Sequence, residues 1–254
     1  MHPPPPEGLD GQALALLRLL QMFDSQFPVG AFAHSGGVET YASLGAGLPE
    51  VREILHGQIV LGWGRSELAA AHLAWRAAAA EKPIGQIQAL TGKGDSPPFG
   101  QAGVPEKGTC PLFLLARQVD ALKVVPVVRN SSIGLGRRTM ELLRRLYPDA
   151  VVDVDPPHQA IVIGAAGRRL GIAIRELLLA YAHSLAMGTL AAALRCMPLS
   201  PAQAQGLLAD AHDDLARAVE RALEDPDAAL FTSTPALDIR SHEQAFLRTR
   251  LFQS

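Results

Sequence analysis

The sequence has little cysteine, few aromatic residues and no excess of charge of either sign. Its two cysteines, Cys110 and Cys196, are too far apart for a Cys-x-x-Cys metal knuckle and too few for a disulfide framework. Lys and Arg together number 23 and Asp and Glu 25, which gives a formal net charge of −2. This balance offers no general attraction to nucleic acid. We therefore expect reduced thiols, a cytoplasmic location and no nucleic-acid partner.

The composition instead favours a helical globular protein. Hydrophobic residues make up 48% of the chain and charged residues 19%, as in folded domains. Alanine and leucine, which are strong helix formers, recur in runs such as 68–71 and 77–80. Strand candidates are limited to 124–128 and 151–154. We predict an all-α protein, a single-domain helical bundle of about 8–10 helices.

Proline and glycine mark the domain organisation. We expect residues 1–10, which include four consecutive prolines, to form a disordered leader and residues 11–254 to form one all-helical domain. Within that domain, the Gly/Pro-rich stretch 92–109 predicts an exposed loop and 240–254 a flexible tail. Leu177 to Leu194 carry no formal charge over 18 residues, the lower edge of a membrane span. Their large side chains recur on one helical face, so we predict a buried soluble helix and no membrane partner.

Motifs for nucleotide or metal binding are weak. Gly92-Lys93-Gly94 lacks the upstream spacing and the hydroxyl residue of a phosphate-binding loop. Two clusters contain possible metal ligands. The first, which is typical of a turn, consists of Asp153, Asp155 and His158. The second, which is typical of a solvated helix face, consists of Asp210, His212, Asp213 and Asp214. His183, in the apolar helix, is interpreted as a hydrogen-bonded core histidine. We predict no metal site.

One catalytic alternative remains open. Ala33-His34-Ser35-Gly36-Gly37 is a variant of the nucleophile elbow that exposes a serine for acyl transfer. That motif needs a preceding strand, whereas Pro28 and Gly30 interrupt the chain here. A serine hydrolase with Ser35 as nucleophile is therefore the alternative to a non-enzymatic protein.

The sequence also contains two closely spaced pairs of arginines. Arg137-Arg138 and Arg144-Arg145 lie seven residues apart, so they return to one face of a helix. Such a stripe is usually solvated, but it is also suited to binding a partner.

Four ordered blocks resemble one protein family. Leu20-Gln21-Met22 followed by the continuous stretch from Phe27 to Glu39, which includes Phe32 and His34, resembles the N-terminal signature of urease accessory protein F. Three later blocks are similar to that family in the same order: Asp120 to Arg138, Tyr181 to Leu199, and Thr234-Pro235 with Arg248 to Ser254. The sequence departs from the family pattern at Ala31, Ser200, Ser241 to Leu247, and Gln253.

The resemblance implies an all-α scaffold without catalytic activity. It implies a homodimer that binds the urease accessory protein D or H and recruits the GTPase accessory protein G. This assembly docks on apo-urease for GTP-dependent nickel insertion, and nickel and GTP act through the partners, so no cofactor is bound stably by this chain.

Partner-binding residues also follow from the matched blocks. They are Pro28, Gly30, Phe32, His34, Ser35, Gly37, Glu39, Arg129, Arg250, Leu251 and Phe252. Glu39 and Arg250 are expected to pair across a surface and Phe252 to anchor in a partner pocket. The alternative is that Glu39 caps or solvates a helix and that Phe252 completes the protein's own core.

Overall fold

The computed structural model describes residues 10–30, 34–79 and 110–253. The described residues form α-helices and short 3-10 turns, with no strand among them. The α-helices are α1 Gly11–Met22, α2 Val38–Ser43, α3 Leu48–Leu61, α4 Trp63–Ala77, α5 Pro111–Leu122, α6 Pro126–Leu146, α7 Gln159–Arg169, α8 Ile174–Cys196, α9 Pro201–Asp210, α10 His212–Glu224, α11 Pro226–Ala229 and α12 Pro235–Glu243. The prediction of an all-α fold is confirmed.

Helix starts follow from local sequence chemistry. Asp10 caps α1 by accepting a hydrogen bond from the backbone N–H of Gln12 at 3.0 Å. Ser200 and Gln203 exchange reciprocal bonds in a capping box ahead of α9. Proline lies in the first turn of α5 and α6, where its missing N–H costs nothing.

One predicted helix is divided in two. The sequence favours a continuous helix from Pro201 to about Leu223, but α9 ends at Asp210 and α10 begins at His212. At the break, the N–H of Ala211 bonds to the carbonyls of both Leu207 and Leu208, so the helical ladder tightens there. The structure therefore has eleven helices of six or more residues in its described part, one more than the expected range.

Helix α4 forms the centre of the core and packs against α3, α5, α7, α8 and α10. Half of its buried residues are alanines, whose small side chains let neighbouring backbones approach. One close approach is to α7, where a Cβ added to Gly164 would lie 2.1 Å from the carbonyl oxygen of Ala71. The alanine-rich composition is therefore a packing feature as well as a helix signal.

Helix α8 has the length and composition of a membrane span, and in the structure it packs against α2, α4 and α10. Its buried residues include Leu177, Leu178 and Tyr181, the large side chains predicted to share a face. The helix also buries small residues as far as Ala193. The interpretation of His183 as a core histidine is wrong, because its side chain is exposed.

The C-terminal segment folds back along α2. After α12, a 3-10 turn at Gln244–Phe246 leads to an irregular stretch that is described to Gln253. Its flexibility in solution stays a prediction. The predicted leader, apart from Asp10, and the predicted loop at 92–109 lie outside the described residues.

Candidate functional site

The N-terminal motif and the C-terminal segment meet in a junction built around α2. Gly37 precedes α2 with a φ of 91°, and a Cβ added there would lie 2.8 Å from Oγ of Ser241. Only glycine combines this left-handed backbone with so close an approach. Thr40 is the third residue of α2, and its hydroxyl donates to the carbonyl of Arg240 at 2.8 Å. The start of α2 is therefore fixed against α12.

Glu39 and Gln244 form the polar centre of this junction. Glu39 is only 6% exposed, and its carboxylate accepts from Nε2 of Gln244 at 2.8 Å and from the backbone N–H of Leu251. The Oε1 of Gln244 in turn accepts from the Ser35 hydroxyl at 3.1 Å. Motif and tail are thus joined by a continuous series of hydrogen bonds, in which the buried carboxylate has its partners.

The charge of Glu39 also affects the pKa of Cys196, the last residue of α8. Burial, and then the Glu39 carboxylate, raise the pKa of Cys196 to about 11. The Cys196 thiol donates a hydrogen bond to the carbonyl of Ala192 at 3.1 Å. The thiol is therefore neutral at physiological pH and weakly nucleophilic.

Phe252 is the one buried residue of the described stretch 248–253. Phe252 is 5% exposed and packs in the protein's own core, with the Arg195 guanidinium 5.7 Å from its ring centroid. Leu251 is 71% exposed, and Arg250 is also exposed. Phe252 therefore occupies an internal pocket rather than reaching outward. The expected ion pair between Glu39 and Arg250 is absent from the described residues, because Glu39 binds Gln244 and the Leu251 amide instead.

A second contact fixes the loop before α2 to α6. Arg138 donates from Nε to the carbonyl of Val29 at 2.6 Å. The His34 ring lies within 2.9 Å of the Ser131 hydroxyl through Nδ1 and 3.5 Å from Nη2 of Arg138 through Nε2. Burial, and then the charge of Arg138, lower the pKa of His34. At neutral pH this histidine is therefore a neutral hydrogen-bonding group.

The other matched residues in this region are loop positions. Pro28 and Gly30 are exposed, and Gly30 has a φ of 74°. Phe32 lies outside the described residues. A role in partner binding stays a prediction for all the residues assigned from the resemblance.

Arg129 contacts Lys123, which belongs to a buried ionic cluster. Its Nε donates to the carbonyl of Lys123 at 2.9 Å. The Lys123 ammonium pairs with Glu67, each side chain being only 10% exposed, and the Tyr181 hydroxyl donates to Glu67 at 3.3 Å. The pKa of Tyr181 is raised by its burial and then by the charge of Glu67. The cluster joins α4, α8 and the end of α5.

His158 lies beside this cluster and is fully buried. Its Nε2 is 3.3 Å from the Asp120 carboxylate and its Nδ1 is 3.1 Å from the Ser132 hydroxyl. Burial and the Lys123 charge lower the pKa of His158, against the opposing charges of Glu67 and Asp120. The sequence offers little warning of this arrangement, since its members are spread over four helices and two connections.

Neither predicted acidic cluster forms a metal centre. Asp153 pairs with Arg144, while Asp210 pairs with Arg52 on α3. Asp214 accepts from Arg217 at 2.5 Å, in an i, i+3 pair on α10. No group of three or more potential metal ligands occurs in the described part of the chain.

The geometry at Ser35 does not favour nucleophilic catalysis. Ser35 is 5% exposed and borders a cavity of about 240 Å³. Its hydroxyl donates a hydrogen bond to Oε1 of Gln244. An activated serine instead needs a base that accepts this proton. The adjacent His34 ring faces Ser131 and Arg138. The junction is therefore suited to holding chain segments together.

Comparison with known sequences decides the family. The profile of the UreF family matches residues 49–212, more than half of the chain. The chain belongs to the UreF family. The UreF match covers α3 to α9, so the motif–tail junction lies outside it on both sides.

Relatives named UreF extend the similarity over most of the chain. A protein of Mycobacterium sp. (strain JLS), named urease accessory protein UreF, is 29% identical over 244 residues, which is 94% of this chain and 99% of the relative. A UreF protein of Nostoc sp. is 27% identical over 94% of this chain and 95% of its own length. A UreF protein of Haemophilus influenzae (strain PittEE) is 25% identical over 93% of this chain and 94% of its own.

Proposed function

We propose that this chain is a urease maturation protein that acts as a non-catalytic scaffold. It joins the urease accessory protein D or H and the GTPase accessory protein G on apo-urease, so that nickel enters the urease active site when GTP is hydrolysed. Membership of the UreF family, whose relatives are named urease accessory proteins, carries the proposal. In this account nickel and GTP act through the partners, and the protein works as a homodimer in the cytoplasm.

The motif–tail junction supports a docking role. The amide of Leu251 is held by Glu39 and the next side chain, Phe252, is anchored in the core. Leu251 between them is therefore presented outward from a fixed backbone, with 71% of its surface exposed. Preorganised apolar side chains of this kind cost little entropy to bind. We assign Leu251, with the exposed Arg250, to the surface that contacts the D or H protein.

Co-purification tests this assignment. The tagged chain is co-expressed with accessory proteins D or H and G and then separated by size exclusion. The wild type is expected to elute with both partners, while Leu251→Ala loses the D or H protein because an exposed apolar contact is removed. Leu179→Ala is the matched control, since Leu179 is a 43% exposed leucine on α8. Absence of any complex with the wild type would overturn the proposal, whereas retention by Leu251→Ala would overturn only the surface.

A further inference from the structure

The exposed face of α6 carries most of the positive charge of that helix. At 100° per residue, Arg137 and Arg144 fall in one column and Arg138 and Arg145 in a second column about 80–100° away. Between the columns lie Asn130, Gly134 and Glu141. Helix α6 has five arginines and one carboxylate, although the whole chain has a net charge of −2. We call Arg137, Arg138, Arg144 and Arg145 the arginine face.

The arginine face retains unneutralised charge. Arg144 is paired with Asp153, and Arg138 is bonded to the carbonyl of Val29. Arg137 and Arg145 are exposed and form no ion pair with any residue that the structure describes. Two cations, about 12 Å apart along the helix at 1.5 Å per residue, are thus available to a partner.

The backbone beneath these cations is held firmly. On the opposite side of α6, Leu143 is fully buried, and a Cβ added to Gly136 would lie 1.8 Å from the carbonyl oxygen of Pro157. On the exposed side, Gly134 has open space around it, with no atom within 4 Å of an added Cβ. The face is therefore a low, rigid surface between two rows of cations, which an extended or helical segment could approach closely.

We propose that the arginine face binds an acidic segment of a partner protein. Charge complementarity carries the assignment, since carboxylates about 12 Å apart, two turns of a helix, would meet Arg137 and Arg145 together. Nucleic acid fits less well, because Glu141 lies in the middle of the face and α6 has no aromatic residue on which a base could stack. That the partner belongs to the urease maturation assembly rests on the proposed function; the acidic chemistry of the partner does not.

Fluorescein-labelled poly-L-glutamate is the probe for the acidic chemistry. Its binding to the full chain is measured by anisotropy at about 50 mM and 300 mM salt. The double variant Arg137→Glu/Arg145→Glu is expected to bind at least about tenfold more weakly and to lose the salt dependence. Lysine at both positions keeps the charge and is expected to bind nearly as well as wild type. Arg117→Glu, a reversal of an exposed arginine on α5, is the control and is expected to bind like wild type.

Several results would overturn the assignment. Binding that falls equally in Arg117→Glu, or that persists in the double variant, would show that the arginine face is not the site. Equally tight and equally face-dependent binding of a DNA duplex would identify nucleic acid as the ligand class instead.

A pull-down separates this inference from the proposed function. If the wild type binds D or H, G and urease and the double variant loses one of them, the arginine face is an interface in that assembly. If the double variant retains all of them, the face has no role there, while the proposed function stands. If the wild type itself fails to assemble, the proposed function fails, and the poly-L-glutamate measurement still decides the chemistry of the face.

Discussion

Replacing Gly37 by alanine tests whether the motif and the tail are locked together as described. Two costs are expected at this position. A left-handed backbone costs a non-glycine residue about 1–2 kcal/mol. The new Cβ would also lie 2.8 Å from Oγ of Ser241, 3.0 Å from its nitrogen and 3.2 Å from the carbonyl of Leu237, an overpacking that typically costs about 1–3 kcal/mol.

Gly36 provides a matched control for this variant. Its φ of 56° is also left-handed, but an added Cβ has no atom within 4 Å. Gly36→Ala should therefore pay only the backbone cost, partly offset by about 0.4–1 kcal/mol from the stiffer unfolded chain. Gly37→Ala should be less stable than Gly36→Ala by about 1–3 kcal/mol, which is the overlap alone.

Urea unfolding followed by circular dichroism measures the unfolding midpoint of the two variants. Hydrogen exchange of residues 240–253 measures the protection of their tail amides. Gly37→Ala is expected to lower the midpoint, or to expose the tail amides to exchange if the junction opens before the rest of the fold. Adding Ser241→Ala should restore part of the loss by removing the nearest atom. Equal stability and equal tail protection in Gly36→Ala and Gly37→Ala would refute the reasoning.

Three further predictions test the core and its buried charges. Gly164→Ala, which forces a Cβ to 2.1 Å from a backbone carbonyl, should lower the unfolding midpoint severely, whereas Gly188→Ala, with open space around it, should raise stability by up to about 1 kcal/mol. Lys123→Met should cost about 3–5 kcal/mol in urea unfolding because it leaves Glu67 buried without its cation; a loss under 1 kcal/mol would contradict the pairing. The pKa of His158 is lowered on folding, so the unfolded chain binds the extra proton and stability should fall as pH drops below about 6.5; His158→Asn should flatten that slope, and an unchanged slope would contradict it.

The helical bundle could be predicted because its signals are local. Proline at the first turn, the Ser200 cap and the spacing of Leu177, Leu178 and Tyr181 are all read within a few residues. The break at Ala211 has no such signal, since no glycine or proline marks it. The exposure of His183 was also not predictable, because an apolar helix does not reveal which sides its neighbours cover.

The junction was only half predictable from sequence. The motif residues Ser35, Gly37 and Glu39 stand out through their resemblance to a family signature. Gln244, the shared partner of Ser35 and Glu39, lies in a segment where this sequence departs from the family pattern, more than 200 residues along the chain. Pairing across that separation depends on the fold, as does the placing of Phe252 in the core.

The nickel content of urease tests the central claim most directly. Urease is expressed with accessory proteins D or H and G, with or without this chain, and the purified enzyme is assayed for bound nickel and for ureolytic activity. The account predicts urease that is made in both cases but is nickel-poor and inactive without the chain, and nickel-loaded and active with it. Equal nickel and activity in both preparations, with all components expressed, would contradict the account.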